Sequence, residues 1–101
     1  MKKDNTMENK LVHNEVNHQY EFHIGDLVPK IEYIKSGNKI WLTHTEVPLE
    51  LEGQGIASDL VKKVLADIQQ KELKVVPLCP FIDKYIKRHP EWEFLVFNDS
   101  E

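Results

Sequence analysis

The spacing of apolar and polar residues changes period along this chain, and the changes mark out its elements. Residues 19–24 alternate, with Tyr20, Phe22 and Ile24 on one side and Glu21 and His23 on the other, which predicts a half-buried strand. Gly25-Asp26 is a hairpin signal. Residues 27–35 answer it, with Ile31 and Tyr33 on one face and Glu32 and Ile34 on the other. Pro29 cannot donate to a ladder and belongs near the start of that strand or on an edge. Gly37-Asn38 predicts a second tight turn. The next strand covers residues 39–47, with Ile40, Leu42, His44 and Glu46 on one face and Trp41, Thr43, Thr45 and Val47 on the other. Pro48 stops its ladder. A short strand is expected over residues 10–14, preceded by a polar, aperiodic tail over residues 1–9.

Past a glycine-containing stretch, residues 51–58, the period becomes helical. Ile56, Ala57, Leu60, Val61, Val64, Leu65 and Ile68 form one stripe on a helix over residues 56–70. A single apolar stripe needs a sheet beneath it. Residues 73–78, with β-branched Val75 and Val76, predict a strand reached through that helix and hence parallel to the one before it. Pro80 suits the first position of a second, shorter helix carrying Phe81, Ile82, Tyr85 and Ile86 and closing near His89-Pro90. Residues 91–97 are expected to add a last strand. The prediction is an α+β fold with a mostly antiparallel sheet and two helices, in one domain over residues 10–101.

Composition narrows the partners. A chain of 101 residues builds one modest core. Its formal net charge of −4 argues against nucleic acid as a partner, because phosphate backbones need a basic footprint. The single cysteine, Cys79, excludes an internal disulfide. No apolar run reaches membrane-spanning length and the N-terminus lacks a signal-peptide core, so a cytoplasmic location is expected. An exposed edge strand in a small sheet suits a monomer or a weak dimer. The five histidines raise a metal reading. His18 and His23 fall on opposite faces of one strand and no pair has helical ligand spacing, so no metal is expected.

The candidate chemistry starts at the glycines. Gly53 and Gly55 allow a tight turn with no side chain in the way of a ligand. The helix behind them presents unpaired first-turn N–H groups and the positive end of its dipole. Together these suit a phosphate, with donors from Gln54, Gly55, Ile56, Ala57 and Ser58; the plainer reading of the glycines is a turn. Lys62, Lys63, Lys87 and Arg88 lie where they could offset phosphate charge or serve as solvated surface.

Several motifs meet a known family. His44-Thr45-Glu46-Val47-Pro48, Leu51-Glu52-Gly53-Gln54-Gly55-Ile56-Ala57, Pro77-Leu78-Cys79-Pro80-Phe81, Tyr85 and His89-Pro90 together resemble the small Gcn5-related N-acetyltransferase (GNAT)-like proteins of the YjdJ type. The resemblance implies a minimal GNAT-like fold in which two parallel strands splay apart, with acetyl-coenzyme A in the gap and its pyrophosphate on the glycine loop. Gly55 and Ala57 match the last two places of the superfamily's loop pattern. Glu52 stands where Gln or Arg is usual and is expected to point away. The resemblance sets the acetyl group against the strand end, with a Glu46 or Val47 N–H as oxyanion donor and His44 and Glu46 as candidates for proton transfer. It sets Cys79 at the acetyl end of the cofactor, as acceptor of the acetyl group or assistant to proton transfer; a helix N-terminus stabilises a thiolate. Tyr85 becomes a candidate acid for the leaving thiolate. The plainer readings are a sheet histidine, a strand-end carboxylate, a core cysteine and a core aromatic. The implied activity is acetyl transfer to an unidentified amine, peptide or protein acceptor. The alternative is an acyl-coenzyme A-binding module with little or no transferase activity.

Overall fold

The computed structural model describes residues 9–98; residues 1–8, most of the expected tail, lie outside the described residues, as do 99–101. Five strands form one sheet in chain order: β1 (Val12–Asn14), β2 (Gln19–Glu21), β3 (Lys30–Ser36), β4 (Lys39–Glu46) and β5 (Lys74–Pro77). The first four pair antiparallel, and β5 joins β4 in parallel through helix α1 (Ile56–Gln70), as a helical crossover requires. A second helix, α2 (Pro80–Arg88), follows β5 with Pro80 at its first turn. The expected fold class is the one observed.

The hairpins form at their glycines. Gly25 and Gly37 take φ +61° and +60°, open ground for a residue without Cβ. Ile24 and Leu27 exchange both backbone hydrogen bonds across the first turn, and the ladder resumes at Lys30 because Pro29 has no N–H to give.

Both helices pack on one face of the sheet. Tyr20, Phe22, Ile31, Tyr33, Ile40, Leu42 and Val75 supply that face, and Leu60, Val64, Leu65 and Ile68 of α1 with Ile82 and Ile86 of α2 close over it. The expected α1 stripe is buried except at Ala57, which is half-buried.

Two expectations fail. Residues 91–97 do not form a strand. A 3-10 turn, Pro90–Leu95, takes their place, and Val96 makes a single parallel bridge to Val75 with the Phe97 N–H on the Val75 carbonyl. Pro90 starts that turn and Leu95 plugs the core. The facing of β4 also changes part-way along. Leu42 opposes Tyr33 but His44 opposes Glu32, so Thr43 is an extra residue, a β-bulge, with its Oγ1 donating to the Glu32 carbonyl at 3.2 Å. Directly opposed residues share a face, so Thr45, opposite Ile31, joins Leu42 on the helix side. His44 and Glu46 turn to the outer face and are exposed.

Candidate active site

The parallel pairing of β4 with β5 ends early. It runs from Lys39↔Lys74 to Leu42↔Pro77, whereas β4 continues to Glu46. Proline chemistry makes the split: Pro77 has no N–H, the Leu78 N–H folds back on the Val76 carbonyl, and Pro80 has none to offer. The last tie is the Cys79 N–H on the Leu42 carbonyl, 3.0 Å. Beyond it the two strands part, and Cys79 caps α2 at the apex of the gap.

Backbone alternation fixes which amides face the gap. The Tyr33 N–H donates to the His18 carbonyl and the Pro29 carbonyl accepts from Phe22, so these positions look towards β2. Lys30 and Glu32 therefore look towards β4, and their opposites Glu46 and His44 return the contact. Thr45 directs its N–H group to the open edge. Of the two amides expected to serve as oxyanion donor, Glu46 faces β3 and Val47 lies one residue past the end of β4.

The gap opens into a cleft of about 360 Å3, lined by Thr45, Val47, Ala57 and Phe81 together with His44, Glu46 and Glu52. Glu52, expected to point away, borders the cleft. At the loop, Gly55 is the N-cap of α1 with φ +75°, and no side chain caps the helix. The first intrahelical bond is Asp59 N–H to Gly55 O, so the N–H groups of Ile56, Ala57 and Ser58 have no partner within the helix. The Gln54 amide folds back on the Glu50 carbonyl, leaving its backbone as the part offered to the loop. That donor set, free of a competing cap, fits a pyrophosphate.

Cys79 is 5% exposed and meets the cleft through Thr45: its Sγ lies 3.4 Å from Thr45 Oγ1, which accepts the thiol hydrogen. Simple alternation put Thr45 on the wrong face, so sequence reading passed it over. On the outer face, His44 Nε2 sits 3.7 Å from Glu46 Oε1, and Lys30 reaches both Glu32 (3.1 Å) and Glu46 (3.9 Å). The structure thus separates the His44–Glu46 pair from the Cys79–Thr45 pair, on opposite faces of one strand.

Phe81 also lines a smaller recess of about 110 Å3, with Ser58, Lys84, Tyr85, Arg88 and His89. The Tyr85 ring stacks on His89 at 4.1 Å, and His89 Nδ1 donates to the Tyr85 carbonyl at 2.9 Å. His89 thus joins the lining of this recess; its sequence signal is its place beside Pro90 at the end of α2. Burial first, then the charges of Glu91 and Asp59, push the Tyr85 phenol above its ordinary range and keep it protonated. Among the candidate counter-charges, Lys63 pairs with Asp59 (3.0 Å) and Lys87 with Asp83 (2.9 Å), whereas Arg88 lines the recess. Among the described residues no group of three potential ligands could hold a metal, and no helix is long and apolar enough to cross a membrane.

The architecture and the motifs agree with known proteins. A GCN5-related N-acetyl-transferase family model matches residues 19–95, well over half of the chain. Protein NATD1 from Gallus gallus and from Homo sapiens are each 41% identical over 54 residues, 54% of this chain and 49% and 48% of theirs. The chain spans about half the length of these curated relatives. The solution structure of a GCN5-like protein from Staphylococcus aureus superposes with a TM-score of 0.68 at 22% identity, covering 88% of both chains. The family model's match over residues 19–95 shows that the chain belongs to the GCN5-related N-acetyltransferase family.

Proposed function

We infer that the cleft binds acetyl-coenzyme A and that the chain transfers its acetyl group to an amine. The observation that carries the reading is the coincidence of three features: a strand running past its parallel partner, an uncapped helix N-terminus beside it, and a cysteine at the apex of the split. Bound there, the cofactor supplies an acetyl group activated as a thioester. The Gln54–Ser58 backbone holds the pyrophosphate. The Val47 N–H, one residue past the end of β4, donates to the carbonyl oxygen as it becomes negative. Tyr85 gives its proton to the departing sulfur, and its raised phenol is protonated at neutral pH as that role requires.

Direct attack forms the new C–N bond while the C–S bond breaks, and the amine proton passes to solvent by way of His44 or Glu46. The alternative route uses Cys79 first. Its sulfur takes the acetyl group as the C–S bond to coenzyme A breaks, the Cys79 thiol proton passes to the departing coenzyme thiolate, and the amine then attacks the acetyl-cysteine, its proton going to the released Cys79 thiolate and regenerating the thiol. Thr45 holds Sγ by its hydrogen bond and turns it towards the gap. His44 and Glu46, paired at 3.7 Å on the outer face of β4, line the open side of the cleft. At that position they serve the acceptor's proton rather than the thioester.

The test is thermal unfolding with acetyl-coenzyme A, coenzyme A and dephospho-coenzyme A, followed by intact mass. Ligand at about 100 times its dissociation constant stabilises by roughly 2.7 kcal/mol, several degrees for a domain of this size. No shift at millimolar ligand removes the transferase reading. A shift with no acetyl on Cys79 and no turnover on any amine leaves a coenzyme-binding module. The open, small cleft is the feature that favours that second reading.

A further inference from the structure

At the other end of the sheet from the glycine loop, a recess of about 410 Å3 opens between the β1–β2 turn and the end of α1. It has the size of a small-molecule pocket. Among its buried groups, one donor is left unspent. The Lys71 ammonium can only donate, so His13 Nδ1, 3.0 Å away, accepts. The neutral ring therefore carries its proton on Nε2 and gives it to Tyr33 Oη at 2.6 Å. With Tyr33 Oη acting as acceptor there, its own hydrogen has no acceptor among the described residues, although Tyr33 is only 6% exposed. Tyr20 differs: its hydroxyl is spent on Asp67 Oδ2 at 2.7 Å.

The surroundings match an acceptor with a flat body. The His13 ring stacks on Tyr20 at 4.2 Å and closes the floor. The His18 ring lies 6.0 Å from that of Tyr33, on a backbone held at φ +54°, a conformation few non-glycine residues adopt. Ile40 and Leu73 add apolar wall, and Lys35 stands in the lining with, among the described residues, the Gly37 carbonyl as its hydrogen-bond partner. Lys71 is already neutralised by Asp67 at 2.6 Å, so two charges of the lining remain: Lys35, which favours an anion, and Glu15, 78% exposed, which opposes one and turns to solvent when an anion enters.

We propose that this recess binds a small organic carboxylate with an aromatic or similarly flat body. One carboxylate oxygen accepts from the Tyr33 hydroxyl, Lys35 meets the charge, and the body lies against the His18 ring and Leu73. The site is independent of the acetyl-transfer reading.

Benzoate is a suitable probe, followed by amide chemical shifts on the full chain. The expected result is saturable shifts in β1, in the β1–β2 turn and at Tyr33 and Leu73, with Gly55 and Ala57 unmoved. Benzamide, which lacks the charge, should bind at least tenfold more weakly, and Tyr33→Phe should weaken benzoate at least tenfold. Lys35→Met changes an exposed side chain and should weaken it severalfold, so the test stands even if Tyr33→Phe does not fold. No saturable shift at about ten millimolar benzoate, enough to fill a millimolar site, would overturn the proposal. Equal binding of benzamide, or undiminished binding by folded Tyr33→Phe or Lys35→Met, would do the same.

Discussion

Thr45 reaches Cys79 only because Thr43 is an extra residue in β4, and this decides which side chains meet at the split. Cys79→Ala should lower acetyl transfer on the order of 100-fold while leaving coenzyme affinity in place, read from kcat beside a binding isotherm. Tyr85→Phe should cost a similar factor in kcat at unchanged affinity, because the phenyl ring keeps its stacking on His89 and loses only the proton. His13 gives a residue-scale prediction of a different kind. Its pKa is lowered, by burial first and by the Lys71 ammonium second, against the opposite pull of Glu15 and Asp67. Below about pH 6.5, the ordinary histidine value, the unfolded chain therefore binds the proton more readily than the folded one. Stability is present in full above that pH and falls as pH drops through the folded value. Urea unfolding across that window should show the slope, and His13→Gln should flatten it. Asp67 and Glu21 act further down: burial alone would raise both, but the Lys71 and Tyr20 contacts on Asp67 and those of His23, Gln19 and Asn14 on Glu21 lower them, so their contribution is lost only on deeper acidification.

At the scale of elements, the two ends of α1 obey the same backbone rule with opposite consequences. Gly55 enters the helix at φ +75° and Glu72 leaves it at φ +60°. The left-handed region costs an L residue roughly 1–2 kcal/mol, and glycine nothing. Gly55→Ala should thus destabilise by about 1 kcal/mol and weaken coenzyme binding as well, since the loop must shift. Glu72→Gly should stabilise by about 1 kcal/mol and leave binding unchanged; denaturant midpoints separate the two. The helix, its stripe and the glycine entry were legible in the sequence because period 3.6 is a local property of one segment. The facing of β4 beyond Leu42 was not, because a bulge is settled by register with a neighbouring strand, and nothing in the run from Thr43 to Glu46 announces one extra residue. The final 3-10 turn was missed for a related reason: Glu91 to Phe97 contains enough aromatic and β-branched residues to suit a strand, yet only Val96 finds an edge to pair with.

For the whole molecule, one core carries both the fold and the cleft. Ile31 is fully buried at the centre of the sheet, opposite Tyr20 on one side and Thr45 on the other. Ile31→Ala should destabilise by about 2–5 kcal/mol and lower the melting temperature accordingly, read by calorimetry. Transfer by the fraction that remains folded should survive, because Ile31 lies beneath the β4 end rather than in the cleft. The sequence by itself determined the strands, the helices, their order and the parallel crossover, since hydrophobic period, turn glycines and prolines act within a few residues. It also placed the glycine loop and Cys79 at the ends of elements, which is where the splayed fold needs them. Only the tertiary structure decided which faces those elements turn to one another: Thr45 towards Cys79, His44 and Glu46 away, His89 against Tyr85, and His13 between Tyr33 and Lys71. Each of these depends on register or packing between segments distant in the chain, and the free energy that selects them comes into being only when the sheet and helices close on the core.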